Sequence, residues 1–171
     1  MNPQARLPLS DKGQGKKQVV VVGLGYVGLS LCEALCRNPT LSVTGIDTNP
    51  RKLASLNAGV SPVSTLANSD VQTMLLGGFY ATDSYQPVED ATVIILALPT
   101  PVLASNEPDM APLLAGVDSV ASRVRNHALI VIESTIGPGS TENIVLPRLE
   151  NHGKVLGEDF LLAFSPERVN P

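Results

Sequence analysis

Gln18-Val-Val-Val-Val-Gly23-Leu-Gly25-Tyr-Val-Gly28-Leu29 is the stretch whose reading decides the fold. Four consecutive valines bury both faces of a strand, which suits a central strand of a parallel sheet covered by helices on each side. The run stops at a glycine. Three glycines then open a helical pattern in which Val27, Leu31, Ala34 and Leu35 share one face until Asn38-Pro39 ends it. Downstream, short apolar runs predict further strands at residues 42–47, 79–82, 91–98, 128–132 and 159–164. Between them, Asn49 caps a helix with Pro50 at its first position, running over 51–57. A loop at 59–65 and a short helix at 69–76 follow. After a loop at 103–109, the next helix carries Leu113, Leu114, Val117, Val120, Ala121 and Val124 toward the core. Gly137-Pro138-Gly139 turns the chain into a last helix, capped by Ser140 or Thr141, which Pro147 kinks or shortens. This alternation predicts an α/β fold, a doubly wound parallel sheet of six strands in the Rossmann order 3-2-1-4-5-6.

The glycines have a chemical reading. Gly23, Gly25 and Gly28 match G-x-G-x-x-G directly after a buried strand, and Asp47 ends the second strand about 20 residues on. The first glycine makes the turn, the second lets the backbone approach a pyrophosphate, and the third lets helix and strand pack closely. The amides of the helix N-terminus then hold the negative charge. A carboxylate at Asp47 accepts hydrogen bonds from a ribose diol and repels a 2′-phosphate, so the cofactor expected is NAD rather than NADP. Arg51 and Lys52 lie close enough in sequence to reach that ribose, although either also reads as an ordinary solvated helix charge.

Composition narrows the classes. The chain has 171 residues, 43% of them hydrophobic with no Trp, so aliphatic side chains must fill the interior of one domain. A net charge of −4 supplies no basic footprint for nucleic acid. Residues 1–17 read as a flexible leader, without the apolar core of a secretory signal, and no apolar run is long enough for a membrane span. The expectation is a soluble, cytoplasmic chain with no metal site. Cys32 and Cys36, one helical turn apart, read as reduced structural thiols rather than a disulfide.

Three more segments fall at strand ends, on the edge where open α/β sheets bind ligands. They are LPTP at 98–101, ESTIGPGSTE at 133–142 and FSPERVNP at 164–171. Together with GLGYVGL at 23–29 and GIDTNP at 45–50, in this order and spacing, they resemble the NAD-binding N-terminal domain of the UDP-glucose/GDP-mannose dehydrogenase family. The ending SPERVNP is similar to the branch acting on UDP-N-acetylglucosamine or UDP-N-acetylmannosamine. UDP-glucose members place a second glutamate four residues after the first, where this chain has Pro171. The resemblance implies backbone contacts from Tyr26 and Val27 to the NAD pyrophosphate, and Asp47 on the adenosine ribose with Lys52 as its basic partner. It implies Thr100 and Thr135 on the nicotinamide side, Thr135 also helping to place the hydrolytic water. Glu167 would assist acid-base or water chemistry, and Arg168 and Val169 would touch the UDP-sugar substrate. The family oxidises a primary alcohol to a carboxylate in two NAD-dependent hydride transfers through a cysteine thioester. That cysteine and the catalytic lysines have no counterpart here, so the resemblance implies a truncated piece that is inactive alone and belongs to a homodimeric enzyme. A stand-alone, non-catalytic NAD-binding module remains the alternative. The first fingerprint is also shared with β-hydroxyacid and 6-phosphogluconate-type dehydrogenases.

Overall fold

The computed structural model describes residues 15–166. Most of the predicted leader and the candidate residues Glu167, Arg168 and Val169 lie outside the described residues. The elements run β1 (Lys17–Val22), α1 (Tyr26–Cys36), β2 (Leu41–Ile46), α2 (Pro50–Asn57), α3 (Asn68–Leu76), β3 (Tyr80–Thr82), β4 (Val93–Leu96), α4 (Ala111–Ala121), β5 (Ala128–Ile132), α5 (Leu146–Glu150) and β6 (Phe160–Phe164). The six strands form one sheet in the order β3-β2-β1-β4-β5-β6, and every neighbouring pair is parallel. This is the predicted Rossmann architecture.

The valine run explains its centre. β1 pairs with β2 on one side and β4 on the other, Val22 standing opposite Ile46 and Leu96. Because side chains alternate along a strand, Val20 and Val22 enter the core under α4 and α5. Val19 and Val21 enter the opposite core, which α1, α2 and α3 cover with Leu29, Cys32, Leu56, Val71 and Met74. Both faces are apolar because both are buried.

Three local expectations are corrected. The buried centre of α1 is Gly28, Leu29 and Cys32; of the expected face, Leu31 and Leu35 pack half-buried against the same core, whereas Ala34 is exposed. The contact that orients this helix is Gly28 on the Gly23 carbonyl, where an added Cβ would overlap backbone. The 91–98 strand is confined to Val93–Leu96. A 3-10 turn at Gln86–Glu89, unforeseen in the sequence, precedes it and buries Val88. Neither Ser140 nor Thr141 caps the last helix through its side chain. The chain instead forms a π-helical segment over Thr141–Val145, with the Leu146 amide on the Thr141 carbonyl, before the short α5. Pro147 has no N–H for the carbonyl one turn back, which favours a widened turn there.

Candidate functional site

The site lies at the C-terminal edge of the sheet, where the ladder continues one residue past each of the central strands. Gly23 N–H donates to the Ile46 carbonyl at 2.7 Å, Ala97 to Val22 at 2.8 Å and Glu133 to Leu96 at 2.9 Å. The strand exits are therefore held in the sheet up to the residue at which each loop begins. They surround a cleft of about 640 Å³ lined by the glycine turn, Asp47, Lys52, the 98–100 and 133–135 loops, and α4. That volume lies within the range of ordinary small-molecule sites.

Gly23 has a φ of +94°, and a side chain there would strike the Ala97 carbonyl on the neighbouring strand exit. Only glycine makes this turn without strain. Gly25 differs, since its φ is −76° and an added Cβ would meet nothing within 4 Å. It precedes the exposed α1 residue Tyr26 and half-buried Val27. The space over Gly25 is thus the open part of the cradle, as approach of a pyrophosphate to the backbone requires.

Asp47 is the organising charge. Its Oδ1 accepts the Asn49 N–H at 2.9 Å, and its Oδ2 accepts the Leu24 N–H at 2.9 Å and the Lys52 ammonium at 2.5 Å. The chain supplies this geometry locally. The Asn49 side chain caps α2 by accepting from the amides of Arg51 and Lys52, which brings Lys52 back over the end of β2. Arg51, the other basic residue considered, is exposed. Burial raises the Asp47 carboxyl, but the bonds from Lys52, Asn49 and Leu24 outweigh it and hold the group below its ordinary value. A carboxylate offers about four acceptor positions. Three are used, and the remaining capacity is on Oδ1.

Thr100 and Thr135, predicted on the nicotinamide side, are brought together: the Thr100 hydroxyl donates to the Thr135 carbonyl at 2.7 Å. The Thr100 oxygen, at the cleft wall, keeps its acceptor capacity. Sequence reasoning missed Ser134, which is 4% exposed and bonds across to the 96–98 segment. It also missed Tyr85 and Ser119 on the cleft wall. Burial pushes the Tyr85 hydroxyl above its ordinary value, partly offset by Ser119. Tyr85 opens the unforeseen 3-10 turn, so no motif pointed to it.

Cys32 and Cys36 are free thiols, and neither lines the cleft. Burial raises Cys32 well above its usual range and carries Cys36 up to about 11, with Glu33 adding to the second shift. Both should stay protonated near neutral pH and behave as packing groups. Alkylation of the native protein at pH 8, followed by mass spectrometry, should leave both unmodified on a timescale that fully labels the denatured chain. Rapid labelling of Cys36 would contradict this. Among the described residues no cluster of His, Cys, Asp and Glu is disposed to hold a metal ion, and no helix is long and apolar enough to cross a membrane.

Comparison with known proteins agrees with this geometry. Residues 17–171 match the NAD binding domain of the UDP-glucose/GDP-mannose dehydrogenase family. UDP-N-acetyl-D-glucosamine 6-dehydrogenase of Pseudomonas aeruginosa is 35% identical over 155 residues, which are 90% of this chain and 36% of that protein. UDP-N-acetyl-D-mannosamine dehydrogenase of Pyrococcus horikoshii is 32% identical over 157 residues, 90% of this chain and 37% of that one. The crystal structure of NDP-N-acetyl-D-galactosaminuronic acid dehydrogenase from Methanosarcina mazei Go1 superposes with a TM-score of 0.83 at 30% identity, covering 92% of this chain and 36% of that chain. The chain spans a little over a third of the length of these relatives. It belongs to the UDP-glucose/GDP-mannose dehydrogenase family and forms the family's NAD-binding domain.

Proposed function

We propose that this domain serves an enzyme that oxidises the C6 alcohol of a UDP-N-acetylhexosamine to the uronic acid in two NAD-dependent steps, for polysaccharide biosynthesis. The observation that carries the reading is the single cleft in which the glycine turn, the Asp47–Lys52 pair and the paired Thr100 and Thr135 meet. The relatives' names supply the substrate class, and Pro171, in place of a second glutamate, favours N-acetylated sugars over UDP-glucose.

Bound NAD supplies the hydride acceptor for both oxidations. The chain's own residues bind and orient. Gly23 and Gly28 shape the turn, and the amides around Gly25, Tyr26 and Val27 take the pyrophosphate charge. Asp47, steadied by Lys52, accepts from the adenosine ribose, its charge opposing a 2′-phosphate. Thr100 and Thr135 wall the nicotinamide side, and Thr135 helps to place the water that ends the reaction. Glu167 assists that water, while Arg168 and Val169 touch the nucleotide-sugar. The covalent cysteine, the catalytic lysines and most sugar contacts belong to the rest of the enzyme, which works as a cytoplasmic homodimer.

Full-length protein assayed with UDP-N-acetylglucosamine, UDP-N-acetylmannosamine and UDP-glucose tests this. The expected result is two NADH per sugar consumed, with an N-acetylated substrate preferred by kcat/KM. A stoichiometry of one, or a preference for UDP-glucose, overturns the reading. Tight NAD binding without turnover of any UDP-sugar would instead mark a non-catalytic NAD-binding module.

A further inference from the structure

The exits of β4 and β5 are joined by more than the sheet. After Ala97 the chain leaves the ladder, and the next amide, of Leu98, donates to the Ser134 hydroxyl at 3.0 Å. That hydroxyl donates in turn to the Leu96 carbonyl at 3.3 Å, an acceptor already shared with the Glu133 amide. One step further out, Thr100 donates to the Thr135 carbonyl at 2.7 Å. Ser134 is one of two buried polar residues among those described, and both of its bonds run to backbone 36 and 38 residues away. A serine hydroxyl has one donor and two acceptor positions. Here the donor and an acceptor are both committed to the 96–98 segment.

We propose that Ser134 is a positioning residue for the nicotinamide half of the site. It fixes the β4 exit loop against the β5 exit loop, and so sets where Thr100 and Thr135 stand. The proposal rests on the NAD reading above. Its content is a division of labour across the cleft. Asp47 and Lys52 belong to the β2 exit and make no hydrogen bond to Ser134, so the adenosine ribose end should be far less sensitive to it than the nicotinamide end.

The test uses full-length protein and two ligands, NAD and ADP-ribose, which differ in the nicotinamide ring. In Ser134→Ala the dissociation constant for NAD, by calorimetry, should rise about 5- to 30-fold. The constant for ADP-ribose should rise clearly less, by about threefold at most, because only its pyrophosphate lies beside the 97–98 segment, across Gly23, while its adenosine ribose is held at the separate β2 exit. Hydrogen exchange at the Leu98 amide should quicken in the same variant, because its acceptor is gone. Ser134→Cys, close in volume but a weak hydrogen-bonding group, should repeat the pattern and covers the case in which alanine impairs folding. Equal weakening of both ligands would assign Ser134 a general structural role and overturn the proposal, as would no change in either. Wild-type protein that binds neither ligand would overturn the NAD reading itself, an outcome distinct from a wild-type protein that binds both.

Discussion

Replacing Asp47 with alanine should weaken NAD binding by about 10- to 100-fold. A hydrogen bond to a charged group contributes roughly 1.5–3 kcal/mol, and each 1.4 kcal/mol is a factor of about ten in affinity. The variant should also lose discrimination, since the charge that opposes a 2′-phosphate is gone while Lys52 stays to attract one. Calorimetry with NAD and NADP checks both effects; an NAD constant within twofold of wild type would remove Asp47 from the site. The same residue makes a pH prediction. Its side chain is 10% exposed, and Lys52 with two backbone amides holds its carboxyl below the ordinary 3.8 despite burial. A folded-state value below the unfolded one means stability that is fully present above about pH 4 and is lost as the pH falls through the folded value. The stability gap between wild type and Asp47→Ala should therefore narrow in acid, below about pH 4, and stay constant above about pH 5. A gap that widened on acidification would contradict the pairing.

What was legible in the sequence is what short-range chemistry determines. The valine run, the glycine turn and the Asn49-Pro50 cap each act over a few residues, and the strand order follows from their alternation and the right-handedness of crossovers. Asp47 was legible as a candidate ribose ligand with Lys52 as its basic partner, and the structure adds that the two pair because the α2 cap folds the Lys52 side chain back. The face of α1 was only partly legible, Leu31 and Leu35 packing at the margin of its buried centre. Apolar bulk suggested one stripe, whereas the close contact of Gly28 with a carbonyl five residues earlier sets the rotation, and a glycine carries no weight in a hydrophobic pattern. Ser134 lies within the 133–142 motif, but its role is not readable there, because its partners are 36 and 38 residues distant. Thr100 and Thr135 were assigned to one side of the cofactor separately; that one holds the backbone of the other needs the register of β4 against β5.

The glycine turn separates packing from binding, through two substitutions three residues apart. Gly25→Ala should leave the melting temperature essentially unchanged, because alanine adopts a φ of −76° and the added methyl meets nothing within 4 Å. NAD affinity should nevertheless fall on the order of 100-fold, equivalent to about 3 kcal/mol, since the methyl occupies the approach of the pyrophosphate to the backbone. Gly28→Ala should do both kinds of damage. Its methyl would overlap the carbonyl carbon and oxygen of Gly23, which are backbone and cannot rotate away as a side-chain end would. Overpacking of that kind costs roughly 1–3 kcal/mol, at about 2–4 °C per kcal/mol for a chain of this size. Relief would push the turn outward, disturbing the Gly23 contact with Ile46 and the cradle with it. Thermal unfolding with and without NAD distinguishes the cases. A Gly25→Ala protein that NAD stabilises like wild type would mean that the pyrophosphate does not lie over that residue. A Gly28→Ala protein with wild-type melting would mean that α1 yields at the turn, and that Gly28 does not orient the helix.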